Sequence, residues 1–174
     1  MGRWLMVALS LCALKAWAGD NFEPQAAVRV QLLAAQLQAA LQSSMQAGGP
    51  VAAIEVCQLQ APAIAAGLSE EGWSVGRTSE RLRNPANKPS PELTALLAEY
   101  GANTDLPAKA LALDDGSKLY VAPIKVGQVC LNCHGMDLKP EVQQQLSVLY
   151  PEDQATGYRL GDFRGLFWVR YQPQ

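Results

Sequence analysis

Ala110-Leu111-Ala112-Leu113-Asp114-Asp115-Gly116-Ser117-Lys118-Leu119-Tyr120-Val121 sets two apolar runs on either side of an Asp-Asp-Gly-Ser turn. Glycine takes positive φ without a steric cost and Asp bonds nearby backbone, so Asp-Gly between such runs predicts a β-hairpin. Its strands cover 110–113 and 118–126. Upstream, Trp73-Ser74-Val75-Gly76 reads as another short strand; downstream, 157–171 reads as a final strand or hairpin broken by Gly161 and Gly165.

Outward from these strands the period changes. Between Phe22 and Ala47 the residues Ala26, Val30, Leu33, Leu37, Leu41 and Met45 recur at helical spacing, with glutamines mostly off the stripe. This is a long amphipathic helix. Gly48-Gly49 ends it, and Pro50 suits the first turn of a second helix. In that helix Ile54, Cys57, Ala61, Ile64 and Leu68 form a seam that puts Cys57 on the buried face, while Pro62 should kink or restart the helix near Ala61. A polar loop spans 77–90, Pro91 opens a helix to about Tyr100, and Pro140 to Leu149 forms another. Helices first, then strands with interspersed helices, predict an α+β fold built on an antiparallel sheet.

The hairpin leads directly into Cys130-Leu131-Asn132-Cys133-His134, a C-x-x-C-H run that holds the only histidine of the chain. Two thiols at this spacing can form thioethers with the vinyl groups of one haem, and the adjacent imidazole can take an axial place on iron. The expected cofactor is therefore a single covalent haem c, with His134 axial. Haem c is attached outside the cytoplasm, so an export signal should accompany it. Arg3, the apolar segment Trp4 to Leu14 and Ala16-Trp17-Ala18 supply one. The apolar run falls short of the roughly 20 residues that a spanning helix needs. Residues 1–18 are read as a cleaved leader, 19–174 as a single haem-binding domain, and the location as periplasmic.

Loss of Arg3 and Lys15 with the leader reduces the 14 basic side chains to 12 against 16 acidic ones, a formal charge of −4. Nucleic acid is excluded as an expected partner. With the haem thioethers assigned, Cys57 is left over in the mature chain, and the iron lacks a second histidine. Met136, two residues past His134, cannot reach the opposite haem face; Cys57 and Met45 are the soft candidates upstream. Of these Cys57 has the better case, as a thiol on an apolar helix face that ferric iron would hold as thiolate. A free cysteine is also commonly a small buried hydrophobe. The residues alone leave these two readings level.

Three other functions use the same side chains. Cys57, Cys130, Cys133 and His134 add up to a Cys₃His zinc set for a structural interaction module, although Cys133 and His134 are adjacent and hard to direct at one tetrahedral ion. A Cys130–Cys133 redox disulfide lacks its βαβ context. A peroxidase-like haem enzyme would need a distal acid or base, and no histidine remains for it.

Several stretches together resemble one group of proteins: Ala53-Ile54-Glu55-Val56-Cys57; Val75-Gly76-Arg77-Thr78-Ser79 with Arg83-Asn84-Pro85-Ala86-Asn87-Lys88-Pro89; Val129 to Gly135; and Tyr150 to Gly165, ending Gly161-Asp162-Phe163-Arg164-Gly165. These are similar to the Tll-like haem domain family, across nearly all of the mature chain. The resemblance implies a PAS-like antiparallel sheet with long N-terminal helices and haem c bound between helix and loop. It also implies His and Cys axial ligands, by position His134 and Cys57.

Members of that family often feed kinase or chemoreceptor modules. Here the expectation is redox or small-ligand sensing, or low-potential electron transfer, with the signal or electron passed to a separate partner. No membrane span is expected after leader cleavage, and helix periodicity leaves the oligomeric state open. Arg77, Arg81, Arg83 and Lys88 form a local basic cluster, with Arg77 and Arg83 as candidate contacts to the haem propionates. Trp73, Trp168 and Tyr171 are expected to pack in the core or the haem pocket.

Overall fold

The computed structural model describes residues 21–173. The leader expected over 1–18 lies outside them. In chain order the elements are α1 (Phe22–Gly67), β1 (Trp73–Thr78), α2 (Pro91–Ala102), β2 (Lys109–Ala112), β3 (Lys118–Lys125), α3 (Leu131–His134), α4 (Pro140–Leu149) and β4 (Phe163–Tyr171), with 3₁₀ turns at Pro85–Asn87 and Gln128–Cys130. Among the described residues no helix is long and apolar enough to cross a membrane.

The four strands form one antiparallel sheet in the order β1-β4-β3-β2. The β2–β3 hairpin closes as its sequence requires: Gly116 takes φ +79°, its N–H donates to the Leu113 carbonyl at 3.0 Å, and Asp115 accepts from the Ser117 backbone at 2.9 Å. The last strand does not sit at an edge or pair with itself. It runs up the centre of the sheet between β1 and β3, covering only 163–171 of the stretch expected to be extended.

Alternation along the strands divides the core in two. On one face Trp73, Val75, Tyr120 and Val169 pack with Phe22, Ala26, Val30 and Leu33 of α1. On the other, Leu119, Val121 and Leu166 pack with Leu93, Leu96, Leu97 and Tyr100 of α2. The aromatic residues follow this division. Trp73 stacks on Phe22 with ring centroids 5.6 Å apart and touches Tyr171 at 4.6 Å, while Trp168 packs on the α2 side.

The break in α1 falls at Gly48 and Gly49, as the sequence implies. Gly49 has φ +70°, ψ −164°, a region closed to side chains with a Cβ, and the turn separates an arm over 22–47 from one over 50–67. Ile64, Ala65 and Leu68 of the second arm reach the same core that holds Val30 and Leu33 of the first, so the arms form a helical hairpin over the sheet. Pro62 does not kink the second arm: the non-helical dihedrals are confined to the two glycines. Pro62 is exposed, so water can serve the one carbonyl its missing N–H leaves without a helical partner.

Candidate cofactor site

Strand β3 delivers the chain to the C-x-x-C-H run, which occupies the 3₁₀ turn and α3. Helical winding places Cys130 and Cys133 one turn apart, both as half-buried free thiols, with His134 closing the last turn. Cys133 joins Ile54 and Val51 of the second arm of α1 and Val142, Leu146 and Tyr150 around α4 in one apolar cluster. Cys130 and Leu131 pack on Val126, Ala155 and Tyr158. The motif is thus held between the helical arm that carries Cys57 and the segment that follows α4.

Cys57 is half-buried, three residues from buried Ile54 and four from buried Ala61. Burial, the largest cause, raises the Cys133 thiol pKa; the Arg83 guanidinium opposes this, and Cys57 and Cys130 add to it. The same Cys57 contributes to raising the Tyr150 phenol, second to burial. These couplings bring Cys57 to the wall formed by Cys133 and Tyr150. Met45 lies in the other arm, before the Gly48-Gly49 turn, and Met136 is exposed.

His134 is oriented by backbone. Its Nδ1 lies 2.5 Å from the carbonyl oxygen of Ala155, which can only accept, so Nδ1 carries the proton and Nε2 bears the free lone pair. Burial holds the imidazole well below its usual pKa, helped by Arg83, Arg164 and Arg77 and opposed by the Ala155 carbonyl. The ring is therefore neutral and ready to act as a ligand. Two further hydrogen bonds tie the segment beneath it: Tyr158 N–H to the His134 carbonyl at 2.9 Å and Gly157 N–H to the Gly135 carbonyl at 2.8 Å.

The arginines divide by role. Arg83 leaves the solvated loop and enters the interior, where Nη2 donates to the Cys133 carbonyl at 2.6 Å and the Ala155 carbonyl at 3.3 Å, and Nε donates to Asp153 at 3.0 Å. Arg77 lies half-buried on β1, on the strand face shared with Trp73 and Val75. Arg81 stacks over the Tyr158 ring at 4.3 Å, and Arg164 lies 5.2 Å from the same centroid. Tyr158 meets the His134 ring edge-on at 6.4 Å. A cavity of about 390 Å³ opens beside these groups, lined in part by Arg81, Tyr158, Phe163 and Arg164.

The family model for Tll0287-like proteins matches residues 19–171. The chain belongs to the Tll0287-like family. Among solved structures it is similar to the crystal structure of the cyanobacterial haem-protein Tll0287, with a TM-score of 0.61 and 26% identity over 85% of this chain and 94% of that one. No curated protein matches it. The α+β architecture, with a long N-terminal helix and a four-stranded antiparallel sheet, is the Tll0287-like fold.

Within this family fold the residues fit a haem of the c type. Two reduced thiols on one helical turn, a neutral imidazole with its Nδ1 tied to backbone, and several interior guanidiniums suit a planar, doubly anionic group with an iron centre. Such a group would supply one-electron or gas-binding chemistry at iron; the chain would hold it, orient His134 and control water access. The same residues suit zinc poorly. Among the described residues no three His, Cys, Asp or Glu side chains gather closely enough to hold a metal ion.

Four contributors escaped the sequence reading: Asp153, Ala155, Tyr158 and Arg164. Only Arg164 had a local signal, its place between Gly161 and Gly165 at the start of a strand.

Proposed function

We propose that the protein is an exported, periplasmic haem c protein of redox or small-ligand sensing, or of low-potential electron transfer. One haem is joined by thioethers to Cys130 and Cys133. His134 binds the iron through Nε2, and Cys57 takes the opposite axial position as thiolate. Electrons or signals pass to a separate partner protein.

The observation that carries this reading is the placement of Cys57. The helical turn at Gly48-Gly49 returns the second arm of α1 over the sheet, and the apolar cluster of Ile54, Val142, Leu146 and Tyr150 holds that arm against the segment bearing Cys133 and His134. A soft donor thus faces the motif from the opposing wall. The start of the family match at residue 19, next to Ala16-Trp17-Ala18, supports cleavage of a leader, and the likeness to a cyanobacterial haem-protein supports haem as the cofactor.

Thiolate donation stabilises ferric iron, so the midpoint potential should be low. A pyridine haemochrome assay on exported protein tests covalent haem, and absorption with EPR of the ferric form tests ligation. Wild type should give a low-spin thiolate signature that Cys57→Ser abolishes while the haemochrome persists. An unchanged spectrum in Cys57→Ser rejects Cys57 as ligand.

A further inference from the structure

The interior around His134 holds more positive charge than the chain neutralises. Arg77, Arg83 and Arg164 all act on the His134 imidazole, and Arg77 and Arg83 act on Arg164 in turn. One carboxylate answers them: Asp153, which pairs with Arg83 at 2.9 Å. Among the described residues neither Arg77 nor Arg164 has an ion-pair partner. Arg164 is bonded through Nη1 to the Ser79 hydroxyl at 2.7 Å and the Arg81 carbonyl at 3.3 Å, both neutral. Burial lowers its pKa, the mark of a guanidinium stripped of water without a counter-charge.

The backbone goes out of its way to put Arg164 there. In the β3–β4 ladder Ile124 pairs with Gly165 and Lys125 with Phe163, so Arg164 is the extra residue of a β-bulge. A bulge re-aims one side chain. Phe163 joins the α2 face of the core while Arg164 turns to Ser79, Arg81 and Tyr158. Gly165 makes room: its backbone lies so close to β1 that a Cβ would stand 2.1 Å from the Thr78 carbonyl.

We infer that Arg77 and Arg164 form the seat for the two propionate carboxylates of the haem, with Arg83 excluded from that role by its pair with Asp153. This rests on the haem reading above and deepens it. The charges match: three guanidiniums less Asp153 leave two positive charges, and the porphyrin carries two carboxylates. Guanidinium is suited to carboxylate through paired N–H donors, and the cavity beside Arg164 leaves space for one carboxylate at its Nε and Nη2, which bond nothing else among the described residues.

The test uses purified holoprotein and resonance Raman spectroscopy of the propionate bending modes, with the midpoint potential as second readout. Arg77→Gln and Arg164→Gln should each shift a bending band and lower the potential, since removing a cation near iron favours the ferric state. Arg164→Lys should restore most of the potential but not the band, because it keeps charge and loses the fork. Arg81→Gln, at an exposed guanidinium, should move neither. Arg77→Gln and Arg164→Lys carry the test alone where Arg164→Gln does not fold. Covalent haem with unchanged bands and potential in the variants overturns the seat and leaves the haem reading intact; absence of a haemochrome in wild type overturns the haem reading itself. A wild-type band that moves on titration with inorganic phosphate means that the guanidiniums hold solvent anions instead, and also overturns the seat.

Discussion

Arg83 and Asp153, seventy residues apart in sequence, form an ion pair at 2.9 Å with side chains only 11% and 8% exposed. The pair works on the candidate haem motif from below. Arg83 holds the carbonyls of Cys133 and Ala155, and Asp153 also accepts the Ala155 N–H at 2.8 Å, which fixes the carbonyl that orients His134. The side chains thus position a backbone acceptor, and the acceptor positions the ring.

Arg83→Ala leaves Asp153 charged and alone in the interior. Removing one partner of a buried pair costs about 3–5 kcal/mol, far above the ~0–1 kcal/mol of a surface pair. Urea denaturation should show that loss, together with a ferric spectrum broadened by several His134 orientations. A loss under about 1 kcal/mol would mean that the pair is solvated and has no positioning role.

How much of this was legible follows from the range of each interaction. The Asp-Gly hairpin, the Gly48-Gly49 break and the proline-started helices at Pro91 and Pro140 depend on neighbours within a few residues, and they form where the sequence puts them. The central place of β4 depends on pairing with β1 and β3, and no local pattern encodes it. In the site, Cys130, Cys133 and His134 announce themselves by spacing. Ala155 acts through a carbonyl that every residue type carries, so its side chain gives no sign of the role. Asp153 matters only because Arg83 folds onto it. Pro62 was overread because a proline on an exposed helix face gives up one hydrogen bond without bending the axis.

The far edge of the fold gives a pH dependence away from the site. Glu92, at the start of α2, has its pKa lowered by backbone and Ser90 hydrogen bonds and by Arg170 on β4, against the effect of burial. Asp115 in the hairpin turn is lowered chiefly by its bonds to Ser117 and, more weakly, by Arg170. A carboxylate with a depressed folded-state pKa stabilises the fold above its unfolded pKa and loses that contribution as pH falls through the folded value. Stability should therefore decline below the ordinary carboxylate range, about pH 4, and Glu92→Gln should flatten the decline. Thermal melts from pH 7 to pH 3 check this. Equal acid slopes in variant and wild type would remove Glu92 from the account.

Gly165 supports both the sheet and the bulge. Its φ of +148° is disfavoured for other residues, and a Cβ would collide with the Thr78 carbonyl across β1. Gly165→Ala combines backbone strain with overpacking, at a cost of about 2–4 kcal/mol. Because β1 must move away, Arg164 loses its bond to Ser79 as well. Denaturation together with the midpoint potential should register both effects; a variant as stable as wild type would show that the ladder absorbs the Cβ without displacement.

Gly49 separates the placement of Cys57 from the stability of the sheet. Alanine there must leave φ +70°, ψ −164° or accept strain of about 1–3 kcal/mol, and a Cβ at that position meets nothing within 4 Å. The penalty is therefore purely conformational, and the cheapest relief is a change of angle between the two arms of α1. The sheet core stays packed, whereas Cys57 rides on the arm that moves. Gly49→Ala should melt only a few degrees lower, yet give a mixture of thiolate-bound and thiolate-free ferric EPR signals, with covalent haem at wild-type level. A uniform wild-type signal would mean that the cluster around Ile54 and Tyr150 alone holds Cys57 in place, independent of the turn.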